Sequence, residues 1–457
     1  MRNQVRPLSA LAAVLLLVSC SPQRQSTSPD DLRKWNEATL KQDYERNGRK
    51  NSKWDEAAGE ALTEYARVRS SYSSEQDEQL EYIGEMAADA VRAGCDDPMV
   101  GYLYCRFASK FARLPLPELQ NEFRHMAASL EGSGYAPIRK FYADLRASNV
   151  LWENHDTNLW SEVHNLRLAA INRLSEALRD KNLPIEEASQ SCQFLLESTT
   201  SSQYQLTNAY NAISVPLFKN WPRAAVSYLV KGKFYYEWAW KGRGGGYADK
   251  VTPERWKLFF SRLAEADKAL NRAWRLDPQN DQIPTLMISV VEGRQRDRAE
   301  METWFNRAMN LNTNNYQACL KKLHYLYPQW YGSREDMLEF GRQCVESTRW
   351  GGDVPLILVD AHLQCARRLP RSEQAGYWGR SDVWPDIRAA YEKFFQLNPA
   401  AEHTRNYYAW YAQACEQWPV FNEQIAALKE VDFAVFGGKE EFDKMTARAR
   451  AAANPSP

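Results

Sequence analysis

The 457-residue sequence lacks the residue patterns that identify common catalytic and metal sites. Its six histidines show no HxxxH or HExxH arrangement, and its eight cysteines include no CxxC pair, so the usual zinc-ligand spacings are missing. No Gly-Lys-Ser/Thr follows its tightest glycine cluster, and no serine lies in a nucleophile elbow. The sequence therefore predicts no metal, no cofactor and no catalytic residue, and we expect a protein that is not an enzyme.

An excess of charge of one sign is also missing. Lysine and arginine together number 58, as do aspartate and glutamate. Removal of residues 1–19 takes away Arg2 and Arg6 and leaves 56 basic against 58 acidic residues. Because a nucleic-acid-binding protein normally carries a basic patch or a high pI, we expect no nucleic-acid partner.

The apolar run near the N-terminus is short. It covers residues 11–18, whereas a membrane-spanning helix needs about 20 apolar residues. Arg2 and Arg6 precede this run, which is the arrangement of an export signal peptide. The sequence therefore predicts export, and the remaining question is how the signal peptide ends.

The signal peptide ends on Leu17-Val18-Ser19-Cys20, which resembles the lipobox of bacterial lipoproteins. The resemblance implies that residues 1–19 are removed and that Cys20 is lipidated and becomes the N-terminus. Several acyl chains anchor a protein stably, whereas one holds it only marginally. Ser21 in place of aspartate implies, by the same resemblance, sorting to the outer membrane, facing the periplasm. The alternative is an ordinary signal peptide with a cysteine at its boundary.

The other seven cysteines are widely scattered. If Cys20 is acylated, their odd number leaves at least one free thiol. Cys95 and Cys105 are the best candidates for a disulfide in an oxidising periplasm. The alternative is that all seven are buried small residues on helices.

Helical periodicity extends through most of the chain after a polar, proline-containing tether at residues 21–30. Alternating β-type runs are scarce, and the breaks at residues 96–98 and 251–254 carry helix-capping residues. We divide the chain into five parts. Residues 1–19 are a signal peptide, residues 20–50 are the lipidated cysteine with its tether and first helix, and residues 51–220 are an N-terminal helical region. Residues 221–435 are a C-terminal helical region, and residues 436–457 are a terminal helix and tail.

One helical segment has the spacing of a tetratricopeptide (TPR) repeat. Its small and bulky residues and closing proline match the second helix of that repeat: Ala266, Leu270, Ala273 and Pro278. Two further copies keep this frame, with threonine for proline in the first of them: Met301, Phe305, Ala308 and Thr313; Ile387, Tyr391, Phe394 and Pro399. A degenerate copy places Gly341 and Cys344 at the small positions. The pattern predicts an all-α, TPR-like helical-hairpin superhelix, an α-solenoid with irregular repeats.

The chain resembles a family of uncharacterised, exported bacterial TPR-like lipoproteins. The resemblance rests on the lipobox and on the stretches AWKGRGGGYADKVTPERW, ALNRAWRLDP and YPQWYGSREDMLEFGRQC, and it covers about residues 225–350. It implies the fold and the lipid anchor, and no activity.

Aromatic residues are abundant, with 16 Trp, 23 Tyr and 17 Phe. Their rings could line a concave binding face, because aromatic side chains suit surfaces that are both apolar and wet, or they could pack between helices. The glycine-rich stretch at 242–247 could cradle an anion or simply reverse the chain. The candidate ligand-binding residues are Trp238, Trp240, Arg243, Tyr247, Trp256, Trp304 and Trp330.

From these observations we expect an envelope-anchored binding or scaffolding protein that holds a protein or peptide partner and is attached to the membrane through the lipid on Cys20. One alternative is a glycan-capture lipoprotein similar to SusD-like proteins, which combine a lipobox, TPR helices and a tryptophan platform. A second is a murein-processing enzyme on an α-superhelix, although no catalytic glutamate can be identified.

Overall fold

The computed structural model describes residues 27–70, 77–108, 114–200, 202–246 and 248–453. In these ranges the chain is helical and contains no β-strand, as predicted. Cys20 and Tyr247 lie outside the described residues. No helix within the described ranges is long and apolar enough to span a bilayer.

The first half of the described chain is a series of helices with one π-helical turn, residues Tyr104–Ala108, after α5. The helices are α1 Pro29–Thr39, α2 Lys41–Asn47, α3 Asp55–Ser70, α4 Asp77–Arg92, α5 Pro98–Leu103, α6 Leu116–Glu131, α7 Pro137–Leu151, α8 Trp160–Ala177, α9 Ile185–Ser198 and α10 Gln203–Asn220.

The second half continues this series through two long helices, α11 and α12. Its helices are α11 Ala225–Arg243, α12 Pro253–Leu276, α13 Gln282–Gly293, α14 Arg298–Leu311, α15 Tyr316–Tyr325, α16 Arg334–Glu346, α17 Ile357–Arg367, α18 Gln374–Tyr377, α19 Trp384–Leu397, α20 Thr404–Ala414, α21 Trp418–Ala426 and α22 Lys439–Ala453.

Helix boundaries follow the capping residues that the sequence offers. The Asp97 carboxylate accepts hydrogen bonds from the backbone N–H groups of Met99 and Val100, at 2.9 and 3.1 Å, and so begins α5. Thr252 caps α12, and Pro253 occupies its first turn. These contacts satisfy N–H groups that have no partner inside the helix.

Consecutive helices pack against each other along the chain, most extensively α11 with α12, α7 with α8 and α3 with α4. Several helices also contact the second helix after them in the chain. For example, α13 contacts α15. The structure is thus an all-α array of stacked helical hairpins, which confirms the predicted fold class. Two large apolar cores follow one another along the array, and α11 contributes to both.

The TPR-like positions lie in the core. Ala266, Leu270 and Ala273 on α12 have no exposed surface, and the apolar residues of the other two copies are at most 3% exposed. At the degenerate copy, Gly341 packs directly on α17: a Cβ atom added there would lie 2.7 Å from the Leu358 Cα atom. Small residues therefore allow close helix approach, as the repeat pattern predicts.

We predict that Gly341→Ala destabilises the protein, by about 1–3 kcal/mol, because the added methyl group meets backbone that cannot move freely. The matched control is Gly59→Ala on α3, where an added Cβ has no neighbour within 4 Å. That change should stabilise by up to about 1 kcal/mol through helix propensity. Urea unfolding of both variants measures the difference, and equal effects at the two glycines would contradict the close packing.

The candidate disulfide between Cys95 and Cys105 does not form. Cys95 and Cys105 are buried free thiols, as are the other cysteines of the described residues: Cys192, Cys319, Cys344, Cys365 and Cys415. The other interpretation, seven small buried residues, is confirmed, although Cys95 and Cys415 lie just after helices and not on them. Burial raises the pKa of the Cys105 thiol to about 12, so this thiol stays protonated at neutral pH.

Candidate ligand-binding site

The predicted aromatic residues are distributed over the middle of the array. Trp238, Trp240 and Arg243 lie on α11, and Trp256 lies on α12. Two further tryptophans belong to the second half of the chain: Trp304 on α14 and Trp330 after α15. The structure brings some of these residues together and separates others.

Trp240 is at the centre of the group that does assemble. Its ring packs edge-to-face against Trp330, with centroids 5.9 Å apart, and against Phe259 at 4.9 Å. Both contacts join side chains from different helical segments. Trp240 and Trp330 therefore pack between helices, in the geometry that aromatic pairs prefer.

Arg243 closes the glycine-rich loop. It is 9% exposed, and its Nη1 atom donates to the carbonyl oxygens of Gly244 and Gly246, both at 3.0 Å. Its guanidinium carbon lies 5.0 Å from the Trp256 ring. Since the loop turns carbonyl groups toward a cation, this arrangement favours the interpretation of the loop as a chain reversal between α11 and α12.

Trp238 and Trp304 lie in other surroundings. Trp238 stacks on Phe234 and is covered by Arg262, whose guanidinium carbon is 3.6 Å from the ring. Trp304 is 5% exposed and packs edge-to-face on Trp274 at 5.8 Å. The predicted residues that the structure describes thus do not form a single open platform of ring faces.

A second group of side chains, which the sequence patterns did not predict, lies in the first half of the chain. We call it the arginine cluster: Arg69, Arg106, Arg139, Arg146, Tyr65, Tyr142 and Glu187. Its residues come from α3, the π-helical turn, α7 and α9.

Helix periodicity explains how the cluster forms. Tyr65 and Arg69 are four residues apart on α3, and Arg139, Tyr142 and Arg146 follow at spacings of three and four on α7. Each set therefore lies on one face of its helix. Arg106 comes from the π-helical turn, a type of turn found frequently at functional sites.

Arg69 and Glu187 form a buried ion pair. The Nη2 atom of Arg69 lies 2.7 Å from a carboxylate oxygen of Glu187, and the two side chains are 15% and 1% exposed. The Tyr142 hydroxyl donates to the same carboxylate at 2.7 Å and accepts from Arg69 at 2.9 Å. Burial raises the pKa of Glu187, but the neighbouring arginines and the hydrogen bonds outweigh it, so its pKa lies below the usual value.

Tyr65 contacts Arg106 and lies within the electrostatic influence of the other three arginines of the cluster. Arg106 donates from Nη1 to the Tyr65 hydroxyl at 2.5 Å. Tyr65 is 2% exposed, and burial alone would raise its pKa. The positive charges of all four arginines of the cluster, Arg106 foremost, outweigh burial and lower the pKa of Tyr65.

Arg139 has unused hydrogen-bonding capacity. It is 1% exposed, and its Nη2 atom donates to Asn36 and Thr39, at 2.7 Å each. Within the described part of the chain, its Nε and Nη1 atoms are buried and have no acceptor. The guanidinium of Arg146 covers the Phe194 ring at 5.0 Å, and its Nε atom likewise has no acceptor among the described residues.

Charge in the cluster is unbalanced. The cluster contains four guanidinium groups and one carboxylate, that of Glu187, which acts on Arg69 and Arg139. Asp43 also acts on Arg139, but it is already paired with Arg46 at 2.7 Å. Because arginine stays protonated at physiological pH, the four guanidinium groups keep their charge. It is therefore suited to binding an anion.

The described residues contain no group of three or more His, Cys, Asp and Glu side chains that could hold a metal ion. A scan of protein-family models and a search of curated proteins find no match to this chain.

Proposed function

We propose that this chain is a lipid-anchored binding protein of the bacterial cell envelope, and that its arginine cluster binds an acidic group of its partner. The observation that supports the proposal is the buried excess of arginine. Arg139, almost fully buried, keeps two N–H nitrogens without an acceptor in the described structure. The array of stacked helical hairpins supplies an extended surface on which a protein or peptide can lie.

Buried charge is costly for a folded protein. A buried cation without a partner costs several kcal/mol, so proteins keep buried charges paired or bound to a ligand. Hydrogen bonds from arginine to carboxylate or phosphate are among the strongest in proteins. An acidic ligand would therefore supply the acceptors and the negative charge that this cluster lacks.

The test is a titration of tryptophan fluorescence and of melting temperature with acidic peptides, neutral peptides and neutral glycans. We expect acidic compounds to bind, and Arg139→Met to weaken that binding by about tenfold or more, since a tenfold change corresponds to one good interaction. The control is Arg124→Met on α6, because Arg124 pairs with Glu162 at 2.7 Å outside the cluster. Equal binding by both variants would overturn the proposal.

Glycan capture, the alternative function, has one supporting observation. Trp256 stacks on Phe260 at 5.5 Å, and Phe260 and Leu258 on α12 are 38% and 48% exposed. The other candidate tryptophans are engaged in packing, which gives a sugar platform less support. Binding of neutral glycans that is lost in Phe260→Ala and kept in Arg139→Met would favour this alternative.

For the anchor, we predict that Cys20→Ala moves the protein from the membrane fraction to the soluble fraction without changing its melting temperature. A lipidated cysteine supplies the acyl chains, and their loss removes the hydrophobic attachment. Cys415→Ala is the control, since this buried thiol lies far along the chain and should leave the protein with the membrane. A membrane-bound Cys20→Ala protein would contradict the anchor.

A further inference from the structure

We infer that the ligand of the arginine cluster is a compact dianion of the phosphoryl class, such as a phosphate monoester. This inference rests on the proposed function, because it specifies which acidic group the cluster binds. Three features of the cluster support it: the net positive charge, the closeness of the arginine side chains to one another, and the N–H groups that have no acceptor in the described residues.

The arginine cluster carries an excess of positive charge. With Tyr65 protonated, four arginines and the single carboxylate of Glu187 give the cluster three net positive charges. A monoanion such as a peptide carboxylate would leave two of these charges uncompensated in a buried place. A phosphate monoester carries close to two negative charges at neutral pH and so compensates more of them.

The arginines of the cluster also lie close to one another. Arg69 lies one helical turn from Tyr65, and Arg106 contacts the Tyr65 hydroxyl at 2.5 Å. Arg139 connects to the end of α3 through Asn36, whose Nδ2 atom donates to the Ser70 hydroxyl at 3.0 Å. Arg69, Arg106 and Arg139 thus meet at the C-terminal end of α3, although they come from three separate elements. This arrangement fits one compact anion better than an extended polyanion.

Several hydrogen-bond donors of the cluster have no acceptor among the described residues. Buried nitrogens without an acceptor in the described residues belong to three arginines of the cluster: Nε of Arg69, Nε and Nη1 of Arg139, and Nε of Arg146. A phosphoryl group offers three strong acceptor oxygens that point in different directions. A carboxylate offers two oxygens in one plane. The donors from different helices therefore match the tetrahedral group.

The experiment is isothermal titration calorimetry of the full chain at constant ionic strength and at about pH 8, where inorganic phosphate is mainly the dianion. The probes are inorganic phosphate and glycerol 3-phosphate as dianions, dimethyl phosphate and acetate as monoanions, and succinate as an extended dianion. We expect the two phosphoryl dianions to bind about tenfold more tightly than the other three probes. Arg139→Met should remove this preference, whereas Arg124→Met should keep it.

The outcomes separate the two proposals. If acetate or dimethyl phosphate binds as tightly as phosphate and Arg139→Met abolishes both, the cluster binds acidic groups but the dianion inference is overturned. If succinate binds most tightly, the compact geometry is overturned. If no probe distinguishes the wild type from Arg139→Met, the proposed function itself fails. Should Arg139→Met not fold, Arg146→Met, which alters a half-buried residue, gives the same test.

Discussion

Replacing Glu187 by glutamine is expected to destabilise the protein by about 3–5 kcal/mol, because it removes the one carboxylate that compensates the arginine cluster in the described structure. The side chain keeps its size but loses its charge, so Arg69 becomes a buried cation without a counter-ion. Urea unfolding at pH 7 measures the loss. Phosphate should then stabilise Glu187→Gln more than the wild type, since the variant has more positive charge to compensate.

The control for this prediction is Glu131→Gln. Glu131 pairs with Arg173, but its side chain is 55% exposed, and exposed pairs contribute about 0–1 kcal/mol. A similar loss in both variants would show that Glu187 is not needed to balance buried arginines. A loss in Glu187→Gln that phosphate does not reduce would argue against an anion site.

Asp144→Asn is expected to stabilise the protein at pH 8. Asp144 is 5% exposed, and burial, with a smaller effect of Glu131, raises its pKa from 3.8 to about 7. Its Oδ2 atom has no hydrogen-bond partner in the described ranges. Each pKa unit corresponds to about 1.4 kcal/mol, so ionisation of this carboxyl costs the folded state on the order of 4 kcal/mol at pH 8.

The sign of the pH dependence follows from the raised pKa. The folded protein holds this proton more tightly than the unfolded chain, so stability is greatest below pH 3.8 and is lost as the pH rises through about 7. Asparagine does not ionise and avoids the loss. Urea unfolding should therefore show a gain for Asp144→Asn of up to about 4 kcal/mol at pH 8 and little gain at pH 4. An equal gain at both pH values would contradict an ionising, buried Asp144.

Local patterns in the sequence were sufficient to predict the helices and their packing positions. Asp97 and Thr252 begin helices because their side chains can accept the first free N–H groups. Ala273 is buried because a small residue at its spacing permits close packing. Such features depend on neighbours within one or two helical turns, and these neighbours can be read directly from the chain.

The arginine cluster could not be predicted in this way. Its ion pair joins Arg69 to Glu187, which are 118 residues apart. On each helix taken alone, a polar residue such as Arg139 or Arg146 is typical of a solvated face. The equal totals of acidic and basic residues also conceal a local excess of arginine. The signal that was present is the spacing of Arg139, Tyr142 and Arg146, which puts two arginines and a tyrosine on one face of α7.

The partners of the aromatic residues could not be predicted from the sequence, for a different reason. Composition shows that many rings need partners, but it does not say whether those partners are helices or ligands. Trp240 and Trp330 meet across separate helical segments, and Arg243 turns back onto its own loop. These contacts depend on how α11, α12 and the segment after α15 stack, which no single stretch of sequence specifies.

The most direct test of the arginine cluster is a crystal structure of the protein soaked in selenate, a compact dianion with a strong anomalous signal. We predict an anomalous peak among the guanidinium groups of Arg69, Arg106, Arg139 and Arg146, within hydrogen-bonding distance of the Arg139 Nε or Nη1 atom. Selenate peaks elsewhere on the molecule, with none at the cluster, would contradict the account.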